Sequence, residues 1–408
     1  MKNLLKIAGV GALALLALMF VLQREASAND GPSCVPTTGL IPHFCVNMPV
    51  GTSVRHETTV PLSTVLTERA DVRVETGVPA SEAMRLATSV DRAIARVEMV
   101  FGREFTAKPR VFIFATRASF TRGTQDLFGY SPETAANVAA SYGGVFDPET
   151  LTIAVNWQAA ASADLPSLLA HELTHLATRE IVGQGAVLPA WFEEGLAAEI
   201  QAGDAGMSTN AQAAARSLIA NAPRTLDSIT TLAEWHRAYA EIGPALYAVS
   251  AETVRAIEAR IGKDAMFSLL AEVGSGARFE DAYQARAGES LAELVTRFAT
   301  HLALNPTVSV ATAADVSGNL AWTLSAFAPN SDVQVRITGN GYDLAHTVRT
   351  DSIGLYRGTF GATAPLGAYT LSAVTTNSRA TATFDTKRAT EQAPTEIKRY
   401  VGSSAANR

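Results

Sequence analysis

The segment Leu168-Leu169-Ala170-His171-Glu172-Leu173-Thr174-His175-Leu176 lies inside a longer apolar pattern of Leu165, Leu168, Leu169, Leu173, Leu176 and Ile181. That spacing is helical. Asp164 is placed to cap the helix, Pro166 is tolerated in its first turn, and Gly183 fits its end. Positions four apart share a helix face, so both imidazoles can reach one metal ion. Glu172 is turned about 100° from His171, outside the ligand pair but near a water on the metal. Two neutral nitrogens, an open position and a separate carboxylate are what metal-assisted hydrolysis needs. An amphipathic helix that merely carries two histidines is the plainer reading. The leucines make this helix largely buried, however, and two His and a Glu among them are costly without partners.

Downstream, Leu188-Pro189-Ala190-Trp191-Phe192-Glu193-Glu194-Gly195-Leu196-Ala197-Ala198-Glu199 forms a second helix. It can supply a third, acidic ligand. Glu193 and Glu194 are both candidates, and periodicity does not choose between them.

With both segments in view, the chain resembles the gluzincin zinc metallopeptidases, in particular the bacterial peptidase-MA-like domains. That family pairs His-Glu-x-x-His with a later Trp-x-x-Glu-Gly-x-Ala, matched here by Trp191, Glu194, Gly195 and Ala197. Eighteen residues separate His175 from Glu194, the spacing of gluzincin aminopeptidases. The resemblance implies an α+β, thermolysin-like domain over residues 66–305, with Zn2+ held by His171, His175 and Glu194. It implies Glu172 as general base and a peptide or protein substrate. It implies Tyr247 as the donor to the transition state, with Tyr239 and His236 behind it. It also makes Leu151–Val155 the strand at the upper edge of the cleft. Two departures stand out. Some gluzincins place an Asp four residues after the third ligand to orient a His, and here that position is Ala198; nearby Glu199 is not assigned that role. No Gly-x-Met-Glu-Asn exopeptidase signature precedes the metal helix, which leaves endopeptidase as the expected activity.

Before the metal helix, Val72-Arg73-Val74 alternates like a strand. Ser81 is placed to cap a helix carrying Met84, Ala87, Val90, Ile94, Val97 and Phe101, ended by Gly102. Arg110–Ala115 reads as a buried strand, and Gly144-Val145-Phe146 and Leu151–Val155 as a hairpin turning at Asp147-Pro148-Glu149-Thr150. Later helices are expected over about 210–221, 244–261, 264–273 and 289–303, and the Phe279–Tyr283 segment resembles the family's C-terminal helices. After Pro306 the texture changes to short alternating runs between turn signals such as Gly339-Asn340-Gly341 and Pro365-Leu366-Gly367. Residues 306–388 therefore read as an all-β sandwich and resemble immunoglobulin-like modules of bacterial surface proteins. The module offers no catalytic constellation and is expected to dock to a cell surface, hold substrate or act as a spacer. Residues 389–408 are polar and expected to be disordered.

At the other end, Lys2 and Lys6 precede an uncharged run, Ile7 to Leu22, and then Ala26-Ser27-Ala28. Residues 1–28 read as a signal peptide, which makes the protein exported: secreted, periplasmic or at the cell surface. If the segment is not cleaved, it is a membrane anchor. Residues 29–65, with five prolines, read as an irregular lead-in in which Cys34 and Cys45 pair as a disulfide. A net charge of −6, with both signs mixed along the chain, argues against a nucleic-acid partner. The rival to a peptidase is a catalytically inactive, peptidase-like adhesion or cell-wall-binding protein. A latent enzyme covered by residues 29–65 is a third reading. Oligomeric state is not legible.

Overall fold

Strand β2 (Asp71–Glu75) alternates, with Val72 and Val74 buried, whereas β3 (Arg110–Phe114) is buried from Val111 onward. Both belong to a five-stranded sheet of order β1-β2-β3-β5-β4, with β1 (Leu62–Leu66), β4 (Gly144–Asp147) and β5 (Thr152–Asn156). β2, β3 and β5 are parallel; β1 and β4 are antiparallel to their neighbours. The computed structural model describes residues 57–386 apart from 142, 161–164, 184, 204–206, 224, 312–313, 316–317 and 362–363. The expected signal segment, the Cys34–Cys45 pair, the Asp164 cap and the 389–408 tail all lie outside the described residues.

Two expectations need correction here. All of β1 but its last residue falls inside the span 29–65 expected to be irregular: Leu62 to Leu66 pair in register with Glu75 to Asp71, so the folded sheet begins earlier. The edge beside the metal helix is β4, not Leu151–Val155. β5 is hydrogen-bonded to β3 on one side and β4 on the other. Both strands of this hairpin are apolar, and pairing with β3 decides which one lies inside.

Helix α1 (Ala80–Phe101) lays Leu86, Val90, Ala93, Ile94, Val97 and Phe101 onto the core. It follows Pro79 with no side-chain cap, so Ser81 lies inside the first turn, and Met84, 58% exposed, is off the buried stripe. α2 (Arg117–Phe128) and α3 (Pro132–Ser141) fill the connection between β3 and β4. Neither was expected. Gly123 lies inside α2, where the Phe114 ring occupies the space its Cβ would take. α2 is started by a capping box at Thr116 and Ser119.

After the short α4 (Trp157–Ala160) come α5 (Leu165–Val182), which carries His171-Glu172-Leu173-Thr174-His175, and α6 (Ala190–Ala202). α7 (Thr209–Asn221), α8 (Leu232–Ile242), α9 (Ala245–Ile261), α10 (Lys263–Gly274), α11 (Phe279–Ala287) and α12 (Leu291–Leu304) complete the helical part. The sheet, α1, α5, α6 and α9 share one apolar core. Among the described residues, no helix is long and apolar enough to cross a membrane.

The C-terminal part is all β. A three-stranded sheet of order β10-β7-β6 contains β6 (Thr307–Val310), β7 (Leu320–Ser325) and β10 (Tyr356–Phe360). A four-stranded sheet of order β12-β11-β8-β9 contains β8 (Asp332–Gly339), β9 (Tyr342–Arg349), β11 (Ala368–Val374) and β12 (Arg379–Asp385). β8 alternates strictly, burying Val333, Val335 and Ile337. These meet Trp322, Leu324, Phe360, Tyr369 and Leu371 in a core of their own. α7 joins the two parts: Asn221 and Ser217 hydrogen-bond to backbone at Phe327, Ile353, Gly354 and Ala326.

Candidate metal centre

α5 is buried nearly all round at its middle, so His171, Glu172, Thr174 and His175 enter the interior with the leucines. Thr174 bonds back to the Ala170 carbonyl at 2.7 Å, satisfying its hydroxyl within the helix. The helix turn places the two imidazole centroids 5.1 Å apart. α6 starts without a side-chain cap; its first amides, on Ala190 and Trp191, donate to the carbonyls of Thr230 and Ile229 instead. That anchors the helix so that Glu194 faces α5. Glu194 Oε2 lies 3.5 Å from His171 Nε2, and one potential ligand atom from each of His171, His175 and Glu194 falls within 4.8 Å of the others.

The adjacent Glu193 points elsewhere. Its carboxylate accepts from Arg179 at 2.7 Å, which ties the last turn of α5 to the first of α6. Burial pushes its carboxyl up to about 7, although Arg179 pulls the other way. The ambiguity left by periodicity is thus resolved by tertiary packing: Glu194 joins the histidines, and Glu193 joins the two helices.

Glu172 is fully buried, and neither of its oxygens makes a hydrogen bond among the described residues. Burial, then the charge of Glu194, holds its carboxyl well above the ordinary range. Burial, then His171 and Arg179, holds His175 well below the usual imidazole range, which favours the neutral ring that can donate a lone pair. Two buried carboxylates beside two imidazoles is an unfavourable set as it stands. A divalent cation bound between them would remove the imbalance, and the N,N,O donor set suits such an ion. The residues therefore fit a metal.

The second row of residues is equally defined. Phe146 of β4 stacks on His175 at 6.4 Å. Gly144, at the start of β4, lies against the general-base candidate: a Cβ there would be 3.2 Å from Glu172 Oε1. Tyr247 of α9 sets its ring edge-on to His171 at 6.0 Å, with Trp235 and Tyr239 of α8 packed against it. Tyr239 supports Tyr247, and His236 is half-buried on the same helix. Glu199 is turned to α9, where Arg255 lies 3.4 Å away.

A polar site contact missing from the sequence reading is Gln201. Its Oε1 lies 3.1 Å from His171 Nδ1. The available signal was its place seven residues after Glu194, which is two turns along the same face of α6.

A family model described as the Peptidase MA superfamily matches residues 91–304. A search of curated proteins returns no match. The matched span runs from within α1 to the end of α12 and contains every residue of the cluster described above.

Proposed function

This chain belongs to the Peptidase MA superfamily, and from that premise we propose that it is a zinc-dependent endopeptidase working outside the cytoplasm. The carrying observation is the buried convergence of His171, His175 and Glu194 beside Glu172. The two imidazoles and the Glu194 carboxylate would hold the ion, with a thermolysin-like arrangement of ligands. Bound zinc supplies Lewis acidity, polarising a peptide carbonyl and lowering the pKa of a water to about 7. Glu172 takes the proton of the attacking water at a carboxylate oxygen and delivers it to the leaving amine. Its elevated pKa suits a base that must hold that proton between the two transfers. Tyr247 donates to the oxyanion formed at the carbonyl. The edge of β4, whose outer side faces no other strand of the sheet, offers backbone groups for an extended substrate.

We read the C-terminal unit as immunoglobulin-like. Its three strands face four, and the Tyr369 hydroxyl donates to the Pro365 carbonyl just before β11, as in a tyrosine corner. Its role in this proposal is docking to a cell surface or spacing. Export follows from the reading of residues 1–28.

The test is metal analysis of the purified protein combined with digestion of a broad peptide library, with and without chelator. One equivalent of zinc and chelator-sensitive cleavage within peptides is the expected result. Zinc with no cleavage of any peptide would favour the inactive adhesion protein, and chelator-insensitive cleavage would overturn the metal mechanism.

A further inference from the structure

We propose that Gln201 is a positioning residue for the metal centre, fixing His171 in the tautomer that presents Nε2 to the ion without adding negative charge. This rests on the metallopeptidase reading above. His171 is 1% exposed, and its two ring nitrogens meet different side chains. Nδ1 meets Gln201 Oε1 at 3.1 Å, and Nε2 faces Glu194 Oε2 at 3.5 Å. A neutral imidazole carries one N–H. A side-chain carbonyl is an acceptor, so the proton belongs on Nδ1 and the lone pair on Nε2.

The geometry of α6 makes this arrangement economical. Glu194 and Gln201 lie two turns apart on one face, so a single helix supplies both a ligand and the group that orients another. Ala198, one turn closer, has no polar atom to offer. The last turn of α6 is itself held, because Arg96 of α1 donates to the Gln201 carbonyl at 3.1 Å. Gly203 makes room for that guanidinium: a Cβ there would fall 1.7 Å from Arg96 Nη2. Gln201 is therefore fixed by its backbone from one side and by His171 from the other.

The choice of an amide has an electrostatic reason. Glu172 and Glu194 already bury two carboxylates here. A carboxylate at 201 would add a third negative charge around one divalent ion. It would also raise the basicity of His171 as a ligand. The amide orients the ring and leaves the charge balance unchanged.

The experiment compares wild type, Gln201→Leu and Gln201→Glu by zinc competition with a chromophoric chelator. Histidine ring 15N shifts and melting temperature are measured on the zinc-free proteins. Gln201→Leu is expected to weaken zinc binding about 10–100-fold and to shift His171 from the Nδ1-protonated tautomer towards a mixture. Its zinc-free melting temperature should stay close to wild type, which separates positioning from folding. Gln201→Glu should restore or tighten binding. Equal zinc affinity and an unchanged His171 tautomer in the Leu variant would overturn the proposal. A wild type that takes up no zinc overturns the metallopeptidase reading instead. The tautomer comparison then still decides whether Gln201 orients His171.

Discussion

Gly195 and Ser250 meet backbone to backbone: a Cβ on Gly195 would fall 2.7 Å from both the carbonyl carbon and the oxygen of Ser250. α6 and α9 can approach this closely because Gly195 has no side chain. The contact also controls the site, since Glu194 is the preceding residue and Tyr247 lies one turn before Ser250 on α9. Gly195→Ala forces two backbones apart, and neither can yield by rotating a side chain. The expected effect is a loss of about 1–3 kcal/mol in stability with weaker metal binding. Thermal melts and zinc titration of the variant check this; wild-type values for both would show that the close approach has no such role.

Glu172 is buried beside Glu194 with no hydrogen bond to either oxygen among the described residues, so replacing it separates chemistry from binding. Glu172→Gln should still take up one equivalent of zinc, because the ligand set is untouched. Turnover should fall by about 10²–10⁴-fold. The zinc-free variant should be more stable than zinc-free wild type at neutral pH, because a buried ionisable group has become a neutral amide. Retained turnover would remove Glu172 from the proton-transfer role.

The metal helix was legible because its period and its chemistry conflict. Leucines every three or four residues demand burial, and His171, Glu172 and His175 sit among them. The choice between Glu193 and Glu194 was not legible from the period, since adjacent residues on a buried helix both find partners. It took Arg179, reaching across from α5, to separate them. Gln201 escaped notice because one polar residue near a helix end has no pattern around it. The order of β4 and β5 depends on pairing with β3, a contact made across about forty residues of intervening chain. The helices between β3 and β4 were not read from the sequence, and neither was the role of Gly123, whose missing side chain leaves room for the Phe114 ring. The C-terminal strands were the reverse case, since turn residues mark them at regular intervals and their alternation is local.

Glu199 gives a pH-dependent prediction. Burial, reinforced by Glu258 and opposed by Arg255, pushes its carboxyl up to about 7. The ordinary Glu value in an unfolded chain is about 4.3, so the folded state binds the extra proton between those limits. The stabilising contribution of the protonated form is complete below the lower value and is lost as pH rises through the upper one. Zinc-free wild type and Glu199→Gln should therefore melt alike near pH 4 and diverge by about 1–3 kcal/mol near pH 8.5, with the Gln variant the more stable. Parallel melting curves across that range would show that Glu199 ionises freely in the fold.

Asn221 closes the helical part onto the all-β part. Its Nδ2 donates to Ser217 O at 3.1 Å in its own helix and to Phe327 O at 3.1 Å and Ile353 O at 2.9 Å across the junction. Ser217 completes the joint by accepting from the Ala326 amide at 2.9 Å. Gly354 belongs to it as well, because a Cβ there would lie 2.0 Å from the Phe327 carbonyl oxygen and 2.7 Å from Asn221 Nδ2. These are backbone groups from two separate loops of the all-β part, so one amide holds both against α7. Asn221→Ala leaves the carbonyls of Phe327 and Ile353 short of a donor, a cost of about 1–3 kcal/mol. Because each part has its own apolar core, loss should appear as separation of a single melting transition into two. Proteolysis near residues 305–306, between α12 and β6, should become faster. Zinc affinity should not change, since α7 supplies no ligand. A variant that keeps one transition and wild-type protease resistance would place the strength of the joint in its apolar contacts, at Ala213, Ala214 and Leu355, rather than in this amide.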